Sequence, residues 1–221
     1  NADLTNANLQ NADLTNANIF GADFSNTRID KANLSQVIEI EQVKNEKKSE
    51  LEILHKYSNL SDKNFSNLDI SNRDISESKL NNIDFSNSNF MNNKMAHVNF
   101  QGSDLSYSDL RNTEMISSDL SGVNLVGADL SGANLSGANL SGANLSGANL
   151  KNSILYGSDF TGANLKNADL SRADLNGVTF SGAYMMDVIF ENTKFGSVDF
   201  NGAHMSGQEF IGNDLRQVNF K

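Results

Sequence analysis

Large apolar residues fall on every fifth position of this chain. The first run is Leu4, Leu9, Leu14, Ile19, Phe24, Ile29 and Leu34. From Leu60 to Phe220 every position divisible by five is Leu, Ile, Phe or Met, which makes 40 such centres in all. Two residues before each centre lies a second period-five position, usually small, as at Ala2, Ala7, Ala12, Ala128, Ala133 and Ala138. Side chains two apart point to the same face of an extended segment. The small residue and the centre therefore face inward, and the residue between them, usually Asp or Asn, faces out. The last two residues of each five must turn the chain. Of the 32 turns after Leu60, 14 carry Gly and nine carry Asn at the second of these positions. Those residues tolerate positive φ. Twelve of the 13 Phe and none of the four Tyr occupy a centre, as expected of a dry interior with no partner for a phenol hydroxyl. The pattern predicts strand, turn, strand, turn, wound around one thin core.

The motif, seen as SGANL four times over in Ser131–Leu150, resembles the A(D/N)LXX repeat of the pentapeptide repeat family. The resemblance covers 1–34 and 58–221. It implies an all-β chain, a right-handed parallel β-helix of quadrilateral section with about 20 residues per coil. Residues 20 apart would then stack, and charges at that spacing alternate in Asp74, Lys94, Glu114 and in Asp174, Lys194, Asp214. Phe160, Phe180, Phe200 and Phe220 recur at 20 on the inside. Lys63, Leu68, Arg73, Ile83 and Asn93 occupy inner positions that usually hold a small residue, so the coils from 58 to 95 are expected to be less regular. Gln208 and Asn213 depart in the same way near the end.

Residues 35–57 interrupt the repeat, and Leu34 to Leu60 spans 26 positions instead of a multiple of five. The stretch is charged, with a short helix predicted over Ser49–Tyr57: Ser49 is its N-cap, and Glu52 follows three residues later. It is either a loop extruded from one continuous solenoid or the cap of a second one. Seven repeats make less than two coils, too few to stand alone, which favours extrusion. The expected organisation is one solenoid over 1–221: first repeats 1–34, inserted loop 35–57, main block 58–221. A long loop on a rigid scaffold is a place for recognition, here through Glu39, Glu41, Leu51 and Leu54, or a tolerated insertion with no role.

The chain has 221 residues, a net charge of −10, 16 Gly, and no Pro, Cys or Trp. Without Cys there are no disulfides and no thiolate metal sites. Acidity disfavours direct binding to nucleic acid phosphates. No apolar run is long enough to span a membrane, and a cytoplasmic location is weakly favoured. The start in mid-repeat at Asn1 suggests a piece of a larger protein. His55, His97 and His204 are scattered, no nucleophile elbow is present, and glycines serve corners instead of phosphate loops. No cofactor or metal is expected, and no catalysis. With a coil of 20, Asp69, Asp109, Asp129, Asp169 and Glu209 share one outer face, which is either a solubilising surface or a docking face for a basic protein partner. The exposed last coil, with Phe210, Ile211 and Phe220, is a candidate end-to-end homodimer contact. The leading functional expectation is a non-enzymatic scaffold for protein–protein interaction. The alternative that the resemblance implies is a DNA-mimicking protein that binds DNA gyrase, of the quinolone-resistance type. A host-directed effector is a third class that the sequence does not test.

Overall fold

The computed structural model describes residues 7–9, 65–210 and 213–220. The predicted helix and the rest of the insertion lie outside them. From Asp69 to Tyr184, and again at Asp199, the outward residue of each repeat forms a parallel bridge to the residue 20 ahead, in four ladders. One runs Asp69, Asn89, Asp109, Asp129, Asn149, Asp169, Ile189, and the others begin at Asp74, Lys79 and Asp84. Each coil therefore holds four repeats, and the chain is a repeat β-helix whose strands are one bridge long.

Backbone bonds follow from this winding. The N–H of a centre donates to the outward residue of the next coil, as Leu130 to the Asn149 C=O at 2.7 Å. The N–H of that outward residue donates back to the inner small residue, as Asn149 to the Ala128 C=O at 2.9 Å. The corner closes by a bond across four residues, as Ala133 N–H to Leu130 C=O at 3.0 Å. A turn of this form, with φ > 0 at its third residue, favours Gly or Asn there. The second corner residue has positive φ at every position from Asn67 to Gly207 except Ser197. Residues with a Cβ penalty also adopt it, namely Glu77, His97, Tyr107, Ser117, Arg172 and Asp187.

The interior is continuous and mainly apolar. Leu130, Leu135, Leu140, Leu145 and Leu150 are fully buried, as are the inner alanines between them. Burying each Leu is worth roughly 1.5–3 kcal/mol before ordering entropy. The Phe160, Phe180, Phe200 and Phe220 rings form one column, with successive centroids 5.1, 5.2 and 5.4 Å apart. Inner serines satisfy their hydroxyls on centre carbonyls. Ser153 donates to Leu150 at 2.7 Å across the corner before it, and Ser103 donates to Leu80 at 2.6 Å on the coil before.

The expectation of irregular coils over 58–95 is not met within the described part, 65–95. The bridges Asp69 to Asn89, Asp74 to Lys94 and Lys79 to Asn99 are all in place. Ladder bonds are made by the backbone, so a larger inner side chain does not break them. Inner polar groups one coil on also take up the N–H groups: Ser88 Oγ accepts from Leu68 and Ser103 Oγ from Ile83, both at 3.0 Å, and Asn93 Oδ1 from Arg73 at 2.7 Å.

Irregularity lies at the other end. At the corner Gly196–Ser197 neither residue has positive φ, and Val198 N–H bonds to Gly196 C=O at 2.8 Å. The Asp69 ladder stops at Ile189 and the Asp74 ladder at Lys194, whereas the Lys79 ladder continues to Asn219. The large inner residues there reach back to centre carbonyls, as the buried serines do. Gln208 Nε2 donates to Met185 C=O, and Asn213 Nδ2 to Phe190 C=O at 3.2 Å.

Candidate functional site: an acidic ladder and its apolar end

The outward residues at 69, 89, 109, 129, 149 and 169 are brought into one column by consecutive bridges. Adjacent bridged residues lie about 4.8 Å apart, so Asp69 and Asp169 are separated by roughly 24 Å along the ladder. Four of the five predicted acids, Asp69, Asp109, Asp129 and Asp169, therefore share a face. Glu209 does not extend the ladder: no bridge joins it to Ile189. Glu209 instead lines a groove beside Ile189.

The acids are not free charges. Arg111 forks onto its own corner's Asp109, with Nε to Oδ1 at 2.8 Å and Nη2 to Oδ2 at 2.6 Å. The guanidinium holds the Asp109 carboxyl below the usual carboxylate range. Lys151 Nζ lies 2.9 Å from Asp169 Oδ2. Partial burial pushes the Asp169 carboxyl up, but hydrogen bonds from Ser171 and Lys151 outweigh it and the net shift is downward. Asp129 Oδ1 accepts from Ser131 N–H at 2.9 Å and from Asn149 Nδ2 at 3.0 Å. Asp69 Oδ1 accepts from Ser71 N–H at 3.1 Å.

That last contact recurs throughout the fold and was not anticipated from the sequence. An outward Asp or Asn accepts the N–H two residues on, as Asp84 does from Ser86, Asp104 from Ser106 and Asn139 from Ser141. The repeat's Asp/Asn preference is thus an Asx-turn that satisfies the first corner N–H. The signal was available, since Asx residues stood at a fixed offset before each turn.

The other predicted site residues separate into two groups. Glu39, Glu41, Leu51, Leu54 and Ile211 lie outside the described residues. Phe210 packs against the core and stacks on Phe190 with centroids 5.3 Å apart, whereas Phe220 is 48% exposed. His97 sits at a corner, and His204 stacks on Tyr184 with centroids 4.7 Å apart, on another ladder. Among the described residues no group of three or more His, Asp or Glu could hold a metal ion, and no helix is long and apolar enough to cross a membrane.

One further feature was missed. Ile189, the apolar member of the acidic column, is 48% exposed, and Tyr184 and Met186 of the same coil are also exposed. Beside Ile189 lies a groove of about 410 Å³ lined by Asp187, Val188, Ile189, Phe190, Glu191, Gly207 and Glu209. The sequence signal is a set of apolar residues in outward and corner positions that otherwise hold Asn, Asp, Ser or Gly.

The pentapeptide repeat family model matches in eight copies, over residues 1–36, 74–106, 94–132, 128–167, 153–192 and 189–221. Among solved structures, the chain is similar to HetL, a pentapeptide repeat protein involved in heterocyst differentiation regulation from the cyanobacterium Nostoc. Identity is 24% over 99% of this chain and 88% of that one, with a TM-score of 0.41. Trypsin-treated QnrB1, a plasmid-mediated fluoroquinolone resistance protein, is 24% identical over 66% of this chain and 82% of its own, with a TM-score of 0.35. A second Nostoc pentapeptide repeat protein is 28% identical over 56% of this chain and 84% of its own, again with a TM-score of 0.35. No curated protein matches.

Proposed function

The chain belongs to the pentapeptide repeat family, and from that premise we propose that it is a non-enzymatic rigid scaffold that docks a protein partner on the Asp69 ladder. The carrying observation is the contrast between a filled interior and an ordered exterior. Centres and inner residues are consumed by the core, so the outward residues are what remains to meet a partner. The outward column instead presents Asp69, Asp109, Asp129 and Asp169 on one line. A basic partner surface fits that line, and the charges would direct its approach and register.

The same reading takes 1–34 and 58–221 as one right-handed solenoid with 35–57 extruded and forming the short helix. Supporting it, Leu9 packs against the core cluster of the main block. End-to-end pairing through Phe210 and Phe220 belongs to this reading as a way to cover the last coil, and a monomeric mass at high concentration would remove it.

DNA mimicry toward a topoisomerase finds less support. Duplex DNA carries one charge per about 1.7 Å, or roughly 14 over a 24 Å rise. Over residues 69–169, which make that rise, the chain carries 11 acids and six bases, a net of five negative charges, and on the ladder Arg111 and Lys151 pair with two of the four acids.

The test is proximity labelling in cells with the full chain and with an Asp69→Asn/Asp129→Asn double variant. Asn keeps the Asx-turn acceptor and removes only the charge. A partner whose labelling drops at least several-fold supports docking on the ladder, and unchanged labelling of every partner refutes it. Addition to a gyrase supercoiling assay, with and without a quinolone, decides the alternative.

A further inference from the structure

We infer that the groove at the end of the acidic ladder is a β-augmentation site for a short extended peptide carrying one apolar residue between two small ones and flanked by Lys or Arg. The inference rests on the scaffold reading and assigns a second, chemically different contact to the same face. Its first observation is an interrupted ladder. In regular coils the centre N–H and the inner C=O both bond to the outward residue of the next coil, as Leu170 N–H does to Ile189 C=O at 2.9 Å and Asp169 N–H to Ala148 C=O at 3.0 Å. The corresponding groups here are Phe190 N–H and Val188 C=O, whose partner in register is Glu209. No bridge joins Ile189 to Glu209, and among the described residues neither Phe190 N–H nor Val188 C=O makes a backbone bond. An extended residue entering the gap would restore both bonds, as an added strand does at any open sheet edge.

The second observation is the chemistry around that edge. The groove has about 410 Å³ and an apolar floor of Val188, Ile189 and Phe190. Its walls hold Asp187, Glu191 and Glu209, with no base among the described lining residues. Lys151 and Arg172 lie beyond Ile189, toward the preceding coil, where Lys151 is already paired with Asp169. Charge complementarity therefore selects basic flanks on the groove side. The repeat geometry sets the rest. The bridging residue of the peptide points outward and stacks on Ile189, which calls for an apolar side chain. Its two neighbours point toward the core, where Phe210 and Gln208 already fill the space, so they must be small.

The probe is fluorescent Lys-Ala-Val-Ala-Lys, with both ends blocked, titrated against the full chain. Controls are Glu-Ala-Val-Ala-Glu and the basic peptide with an N-methylated Val. Ile189→Asn is the matched variant, because Asn is the repeat's own outward residue and leaves the fold intact. Saturable binding to the basic peptide is expected, weakened about five- to tenfold by each of Ile189→Asn, Glu191→Gln and N-methylation, and undetectable with the acidic peptide. Absence of binding at millimolar peptide overturns the inference. So does binding that ignores both N-methylation and Ile189→Asn, since that marks generic charge attraction. The Asp69→Asn/Asp129→Asn variant, which tests the ladder, leaves the groove residues in place. Loss of peptide binding and loss of partner docking therefore fail separately.

Discussion

Gly142 isolates the backbone cost of a corner. Its φ is +64°, and an added Cβ would meet no atom within 4 Å. Its N–H donates to Thr161 C=O at 2.9 Å, a bond that substitution leaves available. Gly142→Ala therefore changes only conformational preference. An L-residue in the left-handed region costs about 1–2 kcal/mol. Against this, Ala restricts the unfolded chain by about 0.4–1 kcal/mol relative to Gly. The difference is a destabilisation of roughly 0.5–1 kcal/mol. Gly142→Asn should come out near zero, because nine corners of this fold already use Asn at φ between 54° and 64°. Ser117, which already pays the cost at φ 53°, supplies the reverse test. Ser117→Asn is expected to stabilise by a few tenths of a kcal/mol to about 1 kcal/mol. Urea denaturation followed by far-ultraviolet circular dichroism measures all three, read as midpoint shifts at constant slope. Equal midpoints for Gly142→Ala and Gly142→Asn would refute the reasoning, because Asn tolerates positive φ and Ala does not.

Leu140 is fully buried in the middle of the stack, so Leu140→Ala should cost about 2.7–5 kcal/mol, and Leu140→Asp should abolish cooperative thermal unfolding; an unchanged melting curve for the latter contradicts the inward assignment. Asp129→Ala loses the acceptor for Ser131 N–H and Asn149 Nδ2 and is expected to cost about 1–2 kcal/mol, whereas Asp129→Asn keeps an oxygen that accepts both, as Asn144 Oδ1 does from Ser146 N–H and Asn164 Nδ2, and should cost less than half as much by the same denaturation assay. The Asp109, Asp169 and Asp214 carboxyls are depressed in the folded chain, Asp214 to about 2 by Arg216. Depressed carboxylates contribute stability that is present above an unfolded value of about 3.9 and is lost as pH falls through the folded one. Stability should therefore decline between about pH 4 and pH 2, and Arg111→Ala should make that decline shallower, because Asp109 then titrates closer to its unfolded value, as read by urea midpoints measured at successive pH values.

The period-five lock was legible because one short instruction is repeated. A large inner residue, a small inner residue and a Gly or Asn at the second corner each encode a local backbone state, and none requires knowledge of a distant partner. The sequence thus determined the inward faces, the corners and the mainly apolar core, and it placed Asp69, Asp109, Asp129 and Asp169 together once 20 was taken as the coil length. The outward Asp and Asn were readable as surface but not as turn acceptors, because their bond to the N–H two residues on depends on side-chain direction. The tertiary structure alone decided where the stack loosens. Pairing between coils is a backbone interaction indifferent to most side chains, so Leu68 and Ile83 disturb nothing, while the corner at Gly196–Ser197 and the segment around Gln208 interrupt two ladders. It likewise decided that Glu209 leaves the acidic column and that Arg111 and Lys151 neutralise two of its members. Those outcomes turn on distances between residues on neighbouring coils, which a one-dimensional pattern does not contain.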